Sequence, residues 1–198
     1  MSKGILFVMS GPSGTGKGTI CAELLQKENI FLSISSTTRE IRKNEIDGVT
    51  YNYITRDEFE KLIKDGEMLE YAEYSGNYYG TPKKSVEKML NEGRNVLLEI
   101  EPQGALKVKS VFPEAVLIFI IPPSMEILRS RLVERGRETD EQIKERIEAA
   151  KWEFSQACKY NYIIVNDELD KCVNEVADVI RNTAGQRNFL DKLLNELN

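Results

Sequence analysis

Apolar residues along this chain come in short unbroken runs, separated by longer stretches in which they recur every three or four positions. Residues 5–10 (Ile-Leu-Phe-Val-Met-Ser) predict a buried strand. A glycine-rich loop and a helix over about 17–27 follow it, and residues 31–35 predict a second strand. The pattern then changes. Residues 49–54 and 68–74 alternate polar and apolar, as half-buried strands do. Between them Thr55 and Glu58 have the spacing of a capping box for a short helix over 57–64, stopped by Gly66. Ser75-Gly76-Asn77 predicts a turn ahead of Tyr78-Tyr79, so roughly residues 33–82 form a small mixed unit rich in strands.

Thr81-Pro82 then reads as a helix start, a cap residue followed by proline at the first turn. Residues 95–100 and 115–121 predict two more apolar strands with a short helix over 105–111 between them. Pro122-Pro123-Ser124 ends the second and caps a helix to about 135, Gly136 breaks that helix, and Thr139 with Gln142 caps a longer one to about 157. Residues 162–165 predict a last core strand, followed by helices near 169–182 and 185–197. Phe189, Leu190, Leu193, Leu194 and Leu197 give the final helix an apolar face that should cover something. Helices alternating with strands that are apolar on both faces imply an α/β fold around a parallel sheet, with the strand-rich unit as an insertion.

The bulk properties narrow the class further. A length of 198 residues suits one compact α/β domain with one or two small insertions, and 41% hydrophobic residues supply an ordinary core. The longest apolar runs, 5–9 and 115–121, are far shorter than a membrane span. The first of them leads into a glycine loop rather than a cleavage site, so a cytoplasmic location is the expectation. Cys21, Cys158 and Cys172 have no metal-ligand spacing and read as thiols in a reducing compartment. The chain has no histidine, which excludes Ser-His and Cys-His mechanisms and most zinc sites. A net charge of -5 argues against a general nucleic-acid binder, so an anionic ligand needs basic residues concentrated locally.

One such place is Gly11-Pro12-Ser13-Gly14-Thr15-Gly16-Lys17, which fits G-x-x-x-x-G-K between an apolar strand and a helix. Glycines let backbone N–H groups converge on phosphate oxygens, the helix presents its positive end, and Lys17 adds a mobile cation. Alone this predicts triphosphate binding and nothing narrower. The residue after Lys17 is Gly18 where the general motif has a hydroxyl, which comes one place later as Thr19. A magnesium ion would then be held largely through water and the triphosphate. A second basic place is Ser35-Ser36-Thr37-Thr38-Arg39-Glu40-Ile41-Arg42, either a solvated polar loop or a clamp for a second phosphate.

The order of these motifs, with Glu45-x-Asp47-Gly48-x-x-Tyr51, Ser75 to Thr81, Gln103-Gly104, Pro122-Pro123-Ser124 and Val165-Asn166-Asp167, resembles the guanylate kinases over residues 4–179. The resemblance implies a P-loop three-layer α/β fold with a central parallel sheet, a mixed α/β GMP-binding insertion at 33–82 and a helical lid at 125–150. The core would comprise 1–32, 83–124 and 151–198. It implies transfer of the γ-phosphoryl group of ATP to GMP or dGMP with Mg²⁺, in purine nucleotide metabolism, with neither nucleic acid nor membrane as partner. Gly11 to Thr19 and Asn166 would bind ATP. Ser35, Arg39, Arg42, Tyr51 and Tyr79 would take the GMP phosphate, and Glu70, Thr81 and Glu101 the guanine ring. A carboxylate can accept from guanine N1–H and the 2-amino group, whereas adenine has no donor at N1. Lys17, Arg39, Arg131, Arg135 and Arg146 would stabilise the transferring phosphoryl group. Thr19 and Glu99 would lie near the metal, directly or through water; Glu99 and Glu101 stand where many members of the family have aspartate. Spacing agrees in two places. Residues 131 and 135 share a helix face, and Glu99 with Glu101 should share one side of a strand. Arg129 and Arg137 crowd the same stretch. The two rival readings are a P-loop kinase for another small acceptor and a non-catalytic module of guanylate-kinase type.

Overall fold

The computed structural model describes residues 3–43, 45–74, 76–136 and 139–196. Ser75, Arg137 and Leu197 of the reading above lie outside the described residues, as do the side chains of Leu193 and Leu194. The chain runs β1 (Leu6–Ser10), α1 (Lys17–Lys27), β2 (Phe31–Leu32), β3 (Ser36–Thr37), β4 (Asn52–Tyr53), α2 (Arg56–Lys64), β5 (Met68–Tyr74) and β6 (Asn77–Pro82). It continues α3 (Lys83–Asn91), β7 (Val96–Glu99), α4 (Pro102–Val111), β8 (Val116–Ile121), α5 (Met125–Glu134), α6 (Asp140–Ser155), β9 (Tyr162–Val165) and α7 (Leu169–Glu196).

Two sheets organise these elements. The larger is parallel with strand order β2-β7-β1-β8-β9. Every residue of β1 is buried: Phe7 and Met9 face Ile20, Leu24, Val173 and Val176 of α1 and α7, while Leu6 and Val8 face Val86, Leu90, Ala105 and Val108 of α3 and α4. Helices on both faces make three layers and explain the unbroken apolar runs of the strands. Each fully buried Leu, Ile or Phe contributes about 1.5–3 kcal/mol relative to exposure. From β1 the chain turns toward β2 and β7 on one side and later toward β8 and β9 on the other. The carboxyl end of β1 is therefore a topological switch point, where α/β sheets bind ligands.

The smaller sheet has order β4-β3-β6-β5, and its β5 packs against α4 of the main body. Both expected capping boxes form, Thr55 with Glu58 at α2 and Thr139 with Gln142 at α6. Several sequence expectations are corrected. The strand expected at 31–35 shortens to Phe31–Leu32, which pairs with β7 in the main sheet, and a separate β3 just beyond it, at Ser36–Thr37, pairs with β4 and β6. The strand expected at 49–54 reduces to Asn52–Tyr53, because residues 48–50 form a turn. Thr81 and Pro82 finish β6, and Pro82 rather than Thr81 is the N-cap of α3, which begins at Lys83 with no side-chain cap bond. Helix α4 starts three residues early, with Pro102 at its first turn where a missing N–H costs nothing. That start also ends β7 at Glu99 and makes Glu101 the N-cap, so strand alternation does not relate the two carboxylates. Finally, 169–196 is one helix through Gly185. A helical glycine costs about 1 kcal/mol against alanine, which the neighbouring turns of α7 absorb. Beyond the core, Phe189 and Leu190 are exposed.

Candidate active site

The loop between β1 and α1 is shaped by three glycines and closed by polar contacts. Gly11 (φ 143°) passes so close to β8 that a Cβ would lie 2.2 Å from the Ile120 carbonyl oxygen. Gly16 (φ 89°) caps α1, where a Cβ would meet the Asn166 amide at 2.5 Å. Thr15 donates its hydroxyl to the Pro12 carbonyl (2.9 Å), and Asn166 Nδ2 donates to the Thr15 carbonyl (2.8 Å). Asn166, just past β9, thus holds the loop from outside. Lys17 is buried, donates Nζ to the carbonyls of Gly11 and Pro12, and lies 3.9 Å from Glu101 Oε1. A lysine folded back onto a glycine loop at a helix N-terminus is arranged for polyphosphate.

Three arginines converge on this loop. Arg131 and Arg135, one turn apart at the end of α5, line a cavity of about 380 Å³ together with Gly14, Gly16, Thr19 and Asn166. Arg131 donates Nη2 to the Asn166 carbonyl at 2.9 Å; its Nη1 is buried without a hydrogen-bond partner among the described residues. A guanidinium nitrogen left in that state is poised for an anionic oxygen. Arg146 of α6 donates Nη1 to the Ser13 hydroxyl. Arg129, in contrast, is exposed on α5. Asp167, Glu134 and Leu169 also line the cavity.

Glu99 ends β7 level with Met9, beside the loop. Burial pushes its carboxyl up, Lys17 and Arg135 pull it down, and Glu101 raises it again. A Cβ at Gly18 would lie 3.9 Å from Glu99 Oε2, so this carboxylate reaches toward the place where the general motif carries a hydroxyl. Among the described residues no three His, Cys, Asp or Glu side chains gather as a metal cage. One carboxylate beside a phosphate loop still fits Mg²⁺, which keeps most of its waters and binds phosphate oxygens. Glu153 of α6 was not singled out in the sequence. Burial, with Glu101 nearby, pushes its carboxyl up to about 7, against the pull of Lys17 and Arg146. The only signal was its place two turns after Arg146 on the same helix face.

The second sheet presents another basic and aromatic cluster. Arg39 forms a two-pronged pair with Glu45, Nη1 to Oε2 at 3.0 Å and Nη2 to Oε1 at 2.9 Å. The same carboxylate accepts from the Arg42 backbone N–H (2.9 Å) and the Tyr53 hydroxyl (2.7 Å). The Tyr51 and Tyr53 rings lie under the Arg39 guanidinium at 5.8 and 5.7 Å, and Tyr79 meets Tyr51 edge-on at 5.9 Å. Burial and then Glu99 push the Tyr51 hydroxyl up to about 12, which keeps it a proton donor. The side chain of Arg42 is exposed, and Ser35 is tied to β4 through its carbonyl, which accepts from Asn52 N–H at 2.9 Å. In the sequence Glu45 belongs to the motif Glu45-x-Asp47-Gly48 with no role of its own. No periodicity links it to Arg39, six residues earlier in a loop.

Glu70 on β5 pairs with Thr81 on β6, and Ala72 with Tyr79, so Glu70, Thr81 and Tyr79 share one face of the small sheet. The Thr81 hydroxyl donates to Glu70 Oε1 at 2.8 Å, and both residues are buried. Burial raises the Glu70 carboxyl, while Thr81 and Lys107 draw it back. The opposite face carries Tyr78 stacked on Phe59 at 5.1 Å. The structure therefore joins the phosphate loop, Glu99, Glu101 and the three α5–α6 arginines at one centre, and gathers Arg39 and Tyr51 with Tyr79 beside the small sheet that carries Glu70 and Thr81.

A glycine loop with an inward lysine at the switch point of a parallel sheet, roofed by arginines, defines a P-loop nucleotide-binding protein. Comparison with known proteins narrows this. Residues 3–183 match the family model described as guanylate kinase, and the chain belongs to the guanylate kinase family. It is 52% identical over 180 residues to a guanylate kinase of Clostridium perfringens, covering 90% of this chain and 83% of the relative. It is 49% identical over 191 residues to one of Oceanobacillus iheyensis, covering 96% and 93%. The crystal structure of guanylate kinase from Anaplasma phagocytophilum is similar with TM-score 0.77 and 36% identity, over 92% of this chain and 87% of that one. A gluconokinase from Sinorhizobium meliloti, at 12% identity and TM-score 0.54, shares the fold alone.

Proposed function

We propose that this chain transfers the γ-phosphoryl group of ATP to GMP, and to dGMP, giving ADP and GDP. The observation that carries the choice of acceptor is the buried Glu70–Thr81 pair, a carboxylate and a hydroxyl on the sheet that carries Tyr79, with Arg39 just after its β3 and Tyr51 just before its β4. Guanine matches it: N1–H and the 2-amino group donate to Glu70, and O6 accepts from Thr81 once its hydroxyl proton turns from Glu70 to the base. Adenine would leave the pair opposed to its N1 lone pair and amine, a mismatch that can cost about 10⁴ in discrimination. Glu101 would approach the guanine edge from the start of α4.

Gly11 to Thr19 hold the triphosphate of ATP, with Asn166 and the adjoining cavity toward its base. Ser35, Arg39, Arg42, Tyr51 and Tyr79 hold the acceptor phosphate. An acceptor phosphate oxygen is already anionic, so no strong general base is required. Catalysis then rests on alignment and on charge neutralisation by Lys17, Arg39, Arg131, Arg135 and Arg146. The metal that accompanies ATP would be held by Glu99 and Thr19, in part through water, and supplies further positive charge to the phosphate oxygens. Segments 33–82 and 125–150 close over the core at 1–32, 83–124 and 151–198, which excludes water as a competing acceptor. Among the described residues no helix is long and apolar enough to cross a membrane.

The direct test is phosphorylation of GMP, AMP, CMP and UMP by ATP at equal concentration. Turnover confined to GMP and dGMP is expected; preference for any of the other three sinks the assignment.

A further inference from the structure

Gly104 sits in the first turn of α4 with ordinary helical backbone, since its φ is not positive. Glycine is therefore not needed there for conformation, and alanine is the better helix former. What the missing side chain leaves is space for a carboxylate. A Cβ at residue 104 would lie 2.6 Å from Glu70 Oε2 and 3.1 Å from Glu70 Cδ. Glu70 cannot simply swing aside: it is 7% exposed, its other oxygen accepts the Thr81 hydroxyl at 2.8 Å, and Thr81 is wholly buried. One oxygen is thus fixed by Thr81 and the other rests against the bare backbone of α4. The same turn presents the positive end of the helix dipole to that carboxylate. Lys107, one turn further on, donates to the Tyr71 carbonyl at 2.6 Å and ties α4 to β5 beside Glu70.

We propose that Gly104 is a positioning residue for guanine recognition, its absent side chain setting the place and aim of the Glu70–Thr81 pair. The inference rests on the reading that this pair takes the guanine ring. A Cβ would push the Glu70 carboxylate off its bond with Thr81 and leave the phosphate loop untouched. The effect should therefore fall on the acceptor and spare the donor.

The experiment is a kinetic cycle of Gly104→Ala, Glu70→Asp and their combination, with Glu70→Gln as reference and each variant's thermal unfolding recorded. Gly104→Ala is expected to raise KM for GMP by at least about tenfold, with KM for ATP within about twofold. The shorter Asp retreats from the new methyl group, so the double variant should resemble Glu70→Asp alone rather than multiply the two effects. If Gly104→Ala does not fold, the double variant is expected to restore folding, because it removes the same contact. Multiplying effects, a double variant that also fails to fold, or an unchanged GMP KM in Gly104→Ala beside a raised one in Glu70→Gln would each overturn the role of Gly104. An unchanged GMP preference in Glu70→Gln would overturn the guanine reading and this inference with it.

Discussion

Glu45 offers a sharp test of how the proposed phosphate clamp is built. Its carboxylate takes both prongs of Arg39, the Arg42 N–H and the Tyr53 hydroxyl, so Arg39 is held in one orientation against Tyr51 and Tyr53. Glu45→Gln keeps the shape but replaces one acceptor oxygen by an amide that faces a guanidinium donor. One charge-assisted hydrogen bond is lost, worth about 1.5–3 kcal/mol. If all of that falls on the aim of Arg39, KM for GMP rises about 10- to 100-fold. KM for ATP should not move, because the phosphate loop makes no contact with Glu45. Acid titration supplies a second arm. Partial burial pushes the Glu45 carboxyl up, but the bonds from Arg39, Arg42 N–H and Tyr53 outweigh it and hold it at about 2, below the ordinary 4.5. A depressed folded-state value means stabilisation that is present above about 4.5 and lost as pH falls toward 2. Thermal unfolding followed from pH 5 to pH 2 should fall less steeply in Glu45→Gln than in the parent. Equal changes in KM for GMP and ATP, or identical acid limbs, would refute the reasoning.

Other consequences are as specific. Thr81→Val keeps the volume but removes the donor to Glu70; the GMP preference over AMP in competition assays should drop by about 10-fold or more, and an unchanged ratio would remove Thr81 from recognition. Lys17→Ala removes the cation over the loop and should abolish turnover while GMP still binds by calorimetry; retained turnover would contradict the loop's role. Glu153 is held near 7 by burial, so the unfolded chain ionises at lower pH than the folded one and stability falls as pH rises from about 4.5 to 7. Glu153→Gln should therefore gain stability at pH 8 relative to pH 5 in thermal scans, and equal shifts at both would exclude the ionisation as the cause.

How much could be read from the sequence follows from how local each interaction is. The phosphate loop, the capping boxes of α2 and α6 and the break at Gly136 depend on residues within a few positions, and all were legible. Thr81 was misread as a helix cap because its partner, Glu70, lies on a neighbouring strand and competes for the hydroxyl. The segment 31–35 reads as one strand, although only its first two residues pair in the main sheet and the residues just after it, Ser36–Thr37, join the small sheet, a choice made by pairing and not by propensity. Gly185 suggested a break that its helical neighbours override. Arg131 and Arg135 follow from the family resemblance, with their helical spacing in agreement, whereas Glu45 and Glu153 carry no pattern distinguishing them from surface charge. Their partners appear only when the chain is folded.

The most direct measurement is a calorimetric titration of GMP, with AMP as control, into the protein and into Glu70→Gln. Binding of GMP at least about tenfold tighter than AMP, with that preference lost in the variant, is the predicted result. Equal binding of the two nucleotides by the parent protein would contradict the account.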